Sequence, residues 1–570
     1  MKNREIADVF YQIADLLEIK GDLPFKVRAY RRAAQRIETL EVDIEEIYRE
    51  GRLREIPGIG EGIAKKIKEL IETGKLRYLD KLKEEIPESL IKLMEIPSVG
   101  PKKALILYKK LGITTIDQLK EACEKNLLRS LEGFGEITER NILRGIEMLE
   151  MSKGRVLINV AYDDGHRIVE YLRQNKDVIE ISIAGSLRRM KETIGDIDIL
   201  VSSLNPDSVM DMFVRYRDVK EVLAKGSKKT SVILKDGLQV DVRVVKPESF
   251  GAALQYFTGS KDHNIQIRNL AIKKGLKINE YGVFKKDTNE YLAGKNEGEV
   301  YRAIGLSYIE PELRENRGEI ELAQQNRLPN LVKYDEIRGD FHIHSTWSDG
   351  TATIEEIARR GEKMGYSFVG IADHSKSLKV ANGLSEEKLL KKIDEIRKLQ
   401  EKFDIRILAG AECDIKPDGT LDYSNNILKE LDFAYAAIHS RFRMERKEMT
   451  ERIVKAMENE YINILAHPTV RLIGRRDPID IDMERIFEAA KETNTFLEIN
   501  AFPDRLDLND IHAKAAKESG VKIAIGTDSH SLDHMRFMRF GIATARRGWL
   551  EREDVLNTYD LGKIEKLLGR

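Results

Sequence analysis

The sequence predicts a multidomain chain with an all-α N-terminal region, an α/β middle region and a C-terminal parallel (β/α)7 barrel. Three observations carry this prediction. At 570 residues the chain is too long for one hydrophobic core. Residues 1 to about 150 show helical periodicity broken by Gly-bearing turns, with little strand pattern. From residue 336 onward, seven short apolar strands alternate with amphipathic helices, which fits a closed parallel barrel better than an open sheet. Hydrophobic and charged contents of 41% and 34%, with no apolar run long enough to span a bilayer, describe a soluble globular protein. The N-terminus reads as an amphipathic helix and not as a signal peptide. Cys123 and Cys413 make neither a disulfide framework nor a zinc module, so a reducing cytoplasm is the expected compartment. The net charge of −1 offers no global basic field, and any nucleic-acid contact must come from local Lys and Arg.

In the all-α region three turns look alike: IPGIGEGIAKKIKEL (56–70), IPSVGPKKALILYKKLG (96–112) and LEGFGEITERNILRGIEML (131–149). Each is an apolar residue, a Gly-x-Gly turn or near equivalent, and then a helix. Glycines there let backbone N–H groups face outward at a helix N-terminus, which is a ready anion site. The same geometry serves as an ordinary helix–helix turn, but Lys65, Lys66, Lys102 and Lys103 stand close by. The copies resemble the helix-hairpin-helix motif, which grips DNA phosphates without reading bases. That resemblance gives Gly58, Gly60, Gly100 and Lys102 DNA-binding roles.

From about 151 to 315 the pattern changes to strands and helices, with VIEISIAGS, DIDILVSS, TSVILKD and LQVDVRVVK as the strands and helices between and after them. Residues 316–335 read as a connector with one short helix and Pro329. Within DIDIL, residues i and i+2 of a strand point the same way, so Asp196 and Asp198 sit side by side while Ile197 and Ile199 enter the core. Adjacent carboxylates repel unless a divalent cation lies between them, and Asp241, on another strand, supplies a third ligand. Three carboxylates with open positions suit Mg²⁺, and two such ions promote an in-line displacement at phosphorus. Ser186 and Arg189, on the turn before the carboxylates, are placed to hold phosphates.

The stretch GSLRRMKETIGDIDIL resembles the nucleotidyltransferase signature of family X DNA polymerases, the DNA polymerase β family, and YFTGSKDHNIQIR (256–268) and KGLKINEYGVF (274–284) resemble its further signatures in order. The resemblance covers residues 1–315. It implies a palm in which Asp196, Asp198 and Asp241 bind two Mg²⁺ ions, with Asp241 near the primer 3′-hydroxyl. Ser186, Arg189 and Gly195 would contact the dNTP triphosphate, Tyr256, Phe257 and Gly259 its sugar, and Asn264 and Arg268 the nascent pair. The family's N-terminal domain can carry a 5′-deoxyribose-phosphate lyase that works through a lysine Schiff base. Lys66 falls on that lysine, and Lys26 and Tyr30 on phosphate-side and supporting positions, whereas Gly62 and Tyr78 replace two further phosphate-binding lysines.

The barrel strands read DFHIH, FVGIADH, IRILAGAE, DFAYAAIH, INILAH, TFLEIN and VKIAIGTD. Six of the ten histidines recur at one place, the C-terminal ends of these strands. His342 and His344 belong to the first strand, Asp349 to its loop, and His374, Glu412, His439 and His467 to the next four, with Asp528 and His530 on the last. In a parallel barrel these ends open on one rim, where such folds keep their active sites. Mixed His and carboxylate ligands suit Zn²⁺ or Mn²⁺ better than Mg²⁺, and nine are enough for three ions. Residues 336–570 resemble the PHP (polymerase and histidinol phosphatase) domain, with all nine ligand positions filled. By that resemblance one ion takes His342, His344, Glu412 and Asp528. A second shares Glu412 and adds His439 and His467, and a third takes Asp349, His374 and His530. Arg441 and Arg471 are placed to meet substrate phosphates, while His166, His263, His512 and His534 have no assigned role.

The expected organisation is a helix-hairpin-helix domain at 1–82, a second at 83–150, a nucleotidyltransferase palm at 151–250, a nucleotide-binding polymerase subdomain at 251–315, a linker at 316–335 and a PHP phosphoesterase domain at 336–570. The resemblances imply a cytoplasmic, monomeric gap-filling repair polymerase that uses primed or gapped DNA and dNTPs. They also imply a Mn²⁺-dependent 3′–5′ exonuclease that can process abasic sites. A small-molecule phosphatase tethered to a non-catalytic DNA-binding half is the rival reading, and a DNA scaffold with metals kept for folding is another.

Overall fold

The computed structural model describes residues 3–569 except 39, 41, 42, 57, 97, 132 and 153. The first two residues of the expected N-terminal helix therefore lie outside the described residues. The chain forms two compact units, Met1–Lys153 with Leu472–Asp477, and Gly154–Arg471 with Pro478–Arg570.

The first unit is helical, and the two domains expected within it share one core that runs from Ile6 to Ile146. Its repeated turns have a common construction. A residue in the left-handed region, Gly58, Ser98 or Gly133, is followed by a buried apolar side chain, Ile59, Val99 or Phe134, and then by a glycine. Gly60 and Gly100 cap the helices Glu61–Thr73 and Pro101–Leu111 in extended conformation, with no side chain over the cap. The first-turn N–H groups are thereby left clear.

In the second unit the palm contains β1 (Val156–Leu157), β2 (Val178–Ile183), β3 (Thr193–Ile194), β4 (Asp196–Ser203), β5 (Val219–Lys225), β6 (Lys229–Leu234) and β7 (Gln239–Val245). β1 and β3 pair with each other, and the rest form one sheet in the order β2-β4-β7-β6-β5, parallel only between β4 and β7. The region between DIDILVSS and TSVILKD, expected to be helical, contains helix Pro206–Val214 and then β5. β5 is the sheet edge and all but its first residue is exposed, so VKEVLAK carries charges in place of an apolar alternation.

The subdomain that follows packs helices Phe250–Thr258, Lys261–Lys273 and Glu297–Ala303 on an antiparallel sheet of β8 (Leu276–Asn279), β9 (Gly282–Lys285) and β10 (Tyr291–Ala293). The expected linker does contain a short helix, Glu319–Gln324, but it is not loose. Ile320, Ala323 and Leu331 bury into this subdomain's core beside Trp549 of the barrel. His263 bridges Glu319 and Tyr301 at 2.7 and 3.0 Å, a structural role for a histidine left without one.

The barrel has seven parallel strands in sequence order: β11 (Gly339–Ile343), β12 (Phe368–Ile371), β13 (Arg406–Asp414), β14 (Phe433–Ala437), β15 (Ile464–Leu465), β16 (Phe496–Asn500) and β17 (Ile523–Gly526). A parallel bridge from Ile343 to Ser529 links the last strand to the first. Leu408, Phe433 and Tyr435 cluster with Ile564 and Leu568 of the chain's last turns, whereas the alternate residues Ala434 and Ala436 pack outward under the helices. Asn463, just before β15, donates to the Leu568 carbonyl at 3.1 Å, which places the C-terminal helix Leu561–Leu567 at the N-terminal ends of the strands. Cys123 and Cys413 are buried, free and in different units. Among the described residues no helix is long and apolar enough to cross a membrane.

Candidate metal centres of the palm and the barrel

In the palm, strand alternation puts Ile197 and Ile199 in the core and turns Asp196 and Asp198 to the other face. Parallel register sets Asp198 directly opposite Asp241, and the three carboxylates offer oxygens within 4.8 Å of one another. Burial, and then the charges of Asp196 and Asp241, push the Asp198 carboxyl up to about 7. Such a cluster is costly without a cation. Part of that charge is met by Lys229, whose Nζ lies 2.5 Å from Asp241 Oδ2, and Gln239 donates to the same carboxylate at 3.1 Å. The donors fit divalent cations: they are all oxygens, they converge, and one of them holds a proton near neutral pH in the cation's place. Gly185 sits at φ +63°, and a Cβ there would collide with the Asp198 carboxylate.

The residues expected on the nucleotide side are partly engaged with one another. Arg189 Nε donates to Glu315 at 3.1 Å and its Nη1 to the Thr258 carbonyl, while Arg188 pairs with Glu297. Burial alone would raise the Glu297 carboxyl, but Arg314 and Arg188 hold it down at about 2. Ser186 lies half-buried on the turn Gly185–Arg188, and Gly195 faces Arg155, whose Nη1 would lie 3.1 Å from an added Cβ. Tyr256 and Phe257 meet edge to face at 5.1 Å, Arg268 lies over Tyr256 at 5.7 Å, and Asn264 donates to the Tyr256 carbonyl at 2.7 Å. Gly259, at φ +72°, lies against the Arg189 guanidinium. One residue was missed. Arg243 lies 4.3 Å over the Phe257 ring, its Nε is buried without a partner, and its charge draws down Asp198. The signal was the spacing of Asp241 and Arg243, i and i+2 on one strand face.

In the helical unit Gly58, Gly60 and Gly100 occupy the turns described above, and Lys102 is exposed in the first turn of its helix. Lys103 instead donates to the Ser98 carbonyl at 3.0 Å and lies over Phe134, bracing a turn, and Lys65 pairs with Glu61. Lys26 pairs with Asp22 at 3.2 Å. Lys66 is half-buried, with Nζ 4.8 Å over the Tyr78 ring and 5.8 Å over Tyr30, and burial lowers its pKa.

At the barrel mouth all nine expected residues converge. His344, Asp349, His374 and His530 form one group of ligand atoms within 4.8 Å, His342, His344 and Glu412 a second, and His374, Glu412 and His439 a third. His467 Nε2 lies 2.9 Å from Glu412, and His344 Nε2 lies 3.1 Å from Asp528. The expected partition is therefore blurred at two points, since His344 and His374 each belong to two groups. His374 Nδ1 and Glu412 Oε2 lie 2.7 Å apart, while Nε2 of His342, Nδ1 of His344 and Nδ1 of His467 are buried there without hydrogen-bond partners. Such an accumulation of orphaned donor atoms is rare in a protein interior and fits cation ligands. Burial lowers His344 and His467 to about 4, leaving free-base imidazoles. Burial alone would also lower His439, but Glu412 and Asp414 raise it to about 10.

Sequence reasoning missed the layer behind these candidate ligands. Glu498 accepts from His342 Nδ1 and from the His467 backbone N–H, both at 2.7 Å. Asp414 accepts from His439 Nδ1 at 2.5 Å, and Asn500 donates to Asp528 at 3.0 Å. Their signal was a polar residue inside an otherwise apolar strand, as in TFLEIN and GAECDI. Arg441 is exposed after β14. Arg471 does not face the mouth as expected, because its guanidinium is spent on Glu192 of the palm and on the Arg505 and Leu506 carbonyls. Arg505 lies nearer the ligands, 3.5 Å from Asp528, with a buried Nη1 that has no partner.

Fold and site together define a divalent-metal-dependent nucleotidyltransferase joined to a PHP-type phosphoesterase barrel. Known families match in the same order: a helix-hairpin-helix domain over residues 1–76, a SAM-like helix-hairpin-helix tandem over 90–147, the DNA polymerase beta thumb over 253–315 and the PHP domain over 340–502. The chain is 41% identical to the DNA polymerase/3′-5′ exonuclease PolX of Bacillus subtilis (strain 168) over 573 residues, 100% of each protein. It is also 35% identical over 246 residues to a probable phosphatase of Thermoanaerobacter sp. (strain X514), across 40% of this chain and 93% of that protein. A probable phosphatase of Acetivibrio thermocellus is 31% identical over 211 residues, 35% of this chain and 83% of that protein. The chain belongs to the PolX family of family X DNA polymerases that carry a PHP domain.

Proposed function

We propose that this chain is a gap-filling DNA repair polymerase with a 3′–5′ exonuclease in its barrel, each activity served by its own metal centre. The observation that carries the reading is the pair of separate donor sets, three carboxylates on the palm and nine His, Asp and Glu residues at one barrel mouth. The domain limits are those expected from sequence: helix-hairpin-helix domains at 1–82 and 83–150, palm at 151–250, thumb at 251–315, connector at 316–335 and PHP domain at 336–570.

In the palm, Asp196, Asp198 and Asp241 would hold Mg²⁺, which prefers an open set of oxygens. Bound there, the ions supply positive charge to the attacking and leaving oxygens of an in-line displacement. Asp241 would face the primer 3′ end. Ser186, Arg189 and Gly195 would take the triphosphate, with Arg189 exchanging Glu315 for phosphate oxygens. Tyr256, Phe257 and Gly259 would pack on the sugar, and Asn264 and Arg268 would line the nascent pair. Lys26, Gly58, Gly60, Gly100 and Lys102 would contact DNA phosphates, which makes binding salt-sensitive, with Tyr30 in a supporting place in the helical core. In the barrel the imidazole-rich set would hold up to three Mn²⁺ or Zn²⁺ ions, which supply Lewis acidity for phosphodiester hydrolysis. Arg505 would meet the scissile phosphate with its unpartnered Nη1. The protein would act as a cytoplasmic monomer, and abasic-site DNA is a second substrate for the same mouth.

One observation favours a further lyase activity in the helical unit. Lys66 lies half-buried against the stacked rings of Tyr30 and Tyr78 with a lowered pKa, as a Schiff-base lysine requires.

The test uses one gapped duplex with Mg²⁺ or Mn²⁺, with and without dNTPs. Asp198→Ala is expected to lose primer extension by on the order of a hundred- to a thousandfold and keep the exonuclease, and His344→Ala the reverse. Loss of both activities in either variant would refute the two-centre reading. Retained hydrolysis of histidinol or sugar phosphates with none on 3′-ended DNA would favour the small-molecule phosphatase.

A further inference from the structure

Arg547 lies on the barrel helix Met538–Arg547, yet two of its three acceptors belong to the polymerase half. Its side chain is almost completely buried, at 4% exposure. Nη1 donates to the Arg189 main-chain carbonyl at 2.8 Å and to Glu315 at 3.0 Å, and Nη2 donates to Asp510 of the barrel at 2.7 Å. Glu315 Oε1 is the same oxygen that receives Arg189 Nε. Arg547 therefore holds residue 189 twice, directly through its backbone and indirectly through its side chain. Asp510, in turn, also receives Arg317 Nη1 at 3.1 Å.

The segment so held needs holding. Arg189 closes the short turn Gly185–Arg188, and the next residue, Met190, is in the left-handed region at φ 53°. A bulky residue there is strained and persists only where its surroundings fix the adjoining peptide. A planar guanidinium reaching three acceptors at once does this in a way that an ammonium cannot.

We propose that Arg547 is a positioning residue of the polymerase centre: a barrel side chain that sets the backbone and guanidinium of Arg189 for the incoming triphosphate. Nucleotide binding in the palm then depends on the barrel even when the barrel's own chemistry is idle. The inference rests on the assignment of Arg189 to the triphosphate, and the experiment separates the two.

Gap-filling kinetics are measured on full-length Arg547→Gln, Arg547→Lys and Arg189→Ala, with exonuclease activity and thermal midpoint read on the same preparations. Arg547→Gln is expected to raise the KM for dNTP by about tenfold or more, with a smaller change in kcat and an unchanged exonuclease. Arg547→Lys keeps the buried charge but reaches fewer acceptors and falls between. An unchanged KM in Arg547→Gln beside a raised KM in Arg189→Ala overturns the positioning role alone. An unchanged KM in Arg189→Ala overturns the triphosphate assignment and the inference with it. A parallel fall of both activities with the thermal midpoint marks a merely structural residue and also overturns it. If Arg547→Gln does not fold, Arg547→Lys is read by the same criteria.

Discussion

Glu498→Gln tests the layer behind the barrel ligands. The parent carboxylate uses one oxygen for His342 Nδ1 and the other for the His467 N–H, both at 2.7 Å in a fully buried site. Glutamine has the same shape but one acceptor, so one bond survives and the other meets an NH₂ group. If the His342 bond is lost, the ring is no longer fixed with Nε2 toward the mouth. If the His467 bond is lost, the loop after β15 is released. Losing one such outer partner costs about 10–100-fold in metal affinity. At 1.36 kcal/mol per tenfold, that is about 1.4–2.7 kcal/mol. The assay is the half-saturating Mn²⁺ concentration for exonuclease activity on a 3′-ended duplex, supported by metal content after dialysis. Mg²⁺-dependent primer extension is the internal control and is expected to be unchanged. A Mn²⁺ requirement within about twofold of the parent protein would refute the argument that these bonds orient the ligands.

Three further outcomes follow from the geometry. Asp198 is raised to about 7, so below that pH its carboxyl holds a proton that a cation must displace. The Mg²⁺ concentration needed for half-maximal primer extension should rise by about fivefold from pH 7 to pH 6 and level off above about pH 8, and a requirement flat across that range would contradict it. Gly185→Ala adds a Cβ on the Asp198 carboxylate at a left-handed position, so primer extension should fall by about a hundredfold or more while the exonuclease is kept. Lys66→Ala should abolish any adduct trapped by borohydride on a 5′-deoxyribose-phosphate end, and an equal yield in the variant would assign that chemistry elsewhere.

The nine mouth residues were legible because a parallel barrel turns strand ends into spatial neighbours, so that a recurring sequence position becomes a shared place. The palm triad was legible for a similar reason, since Asp196 and Asp198 alternate with Ile197 and Ile199. Glu498 and Asp414 were not, because a carboxylate inside an apolar strand looks like an interruption until the ring it bonds is known. β5 was obscured by its own exposure, as an edge strand needs charge more than it needs an apolar face. Contacts such as Arg471 with Glu192 join residues 279 positions apart, and no local pattern announces them. The packed connector around Glu319 was hidden likewise, because its partner His263 lies 56 positions earlier.

The C-terminal helix, seated under the strands with Ile564 and Leu568 among the aromatic side chains, covers the end of the barrel opposite the metal-binding mouth. A substrate cut at the metal-binding mouth would therefore enter and leave at the C-terminal ends of the strands, on the side away from that helix.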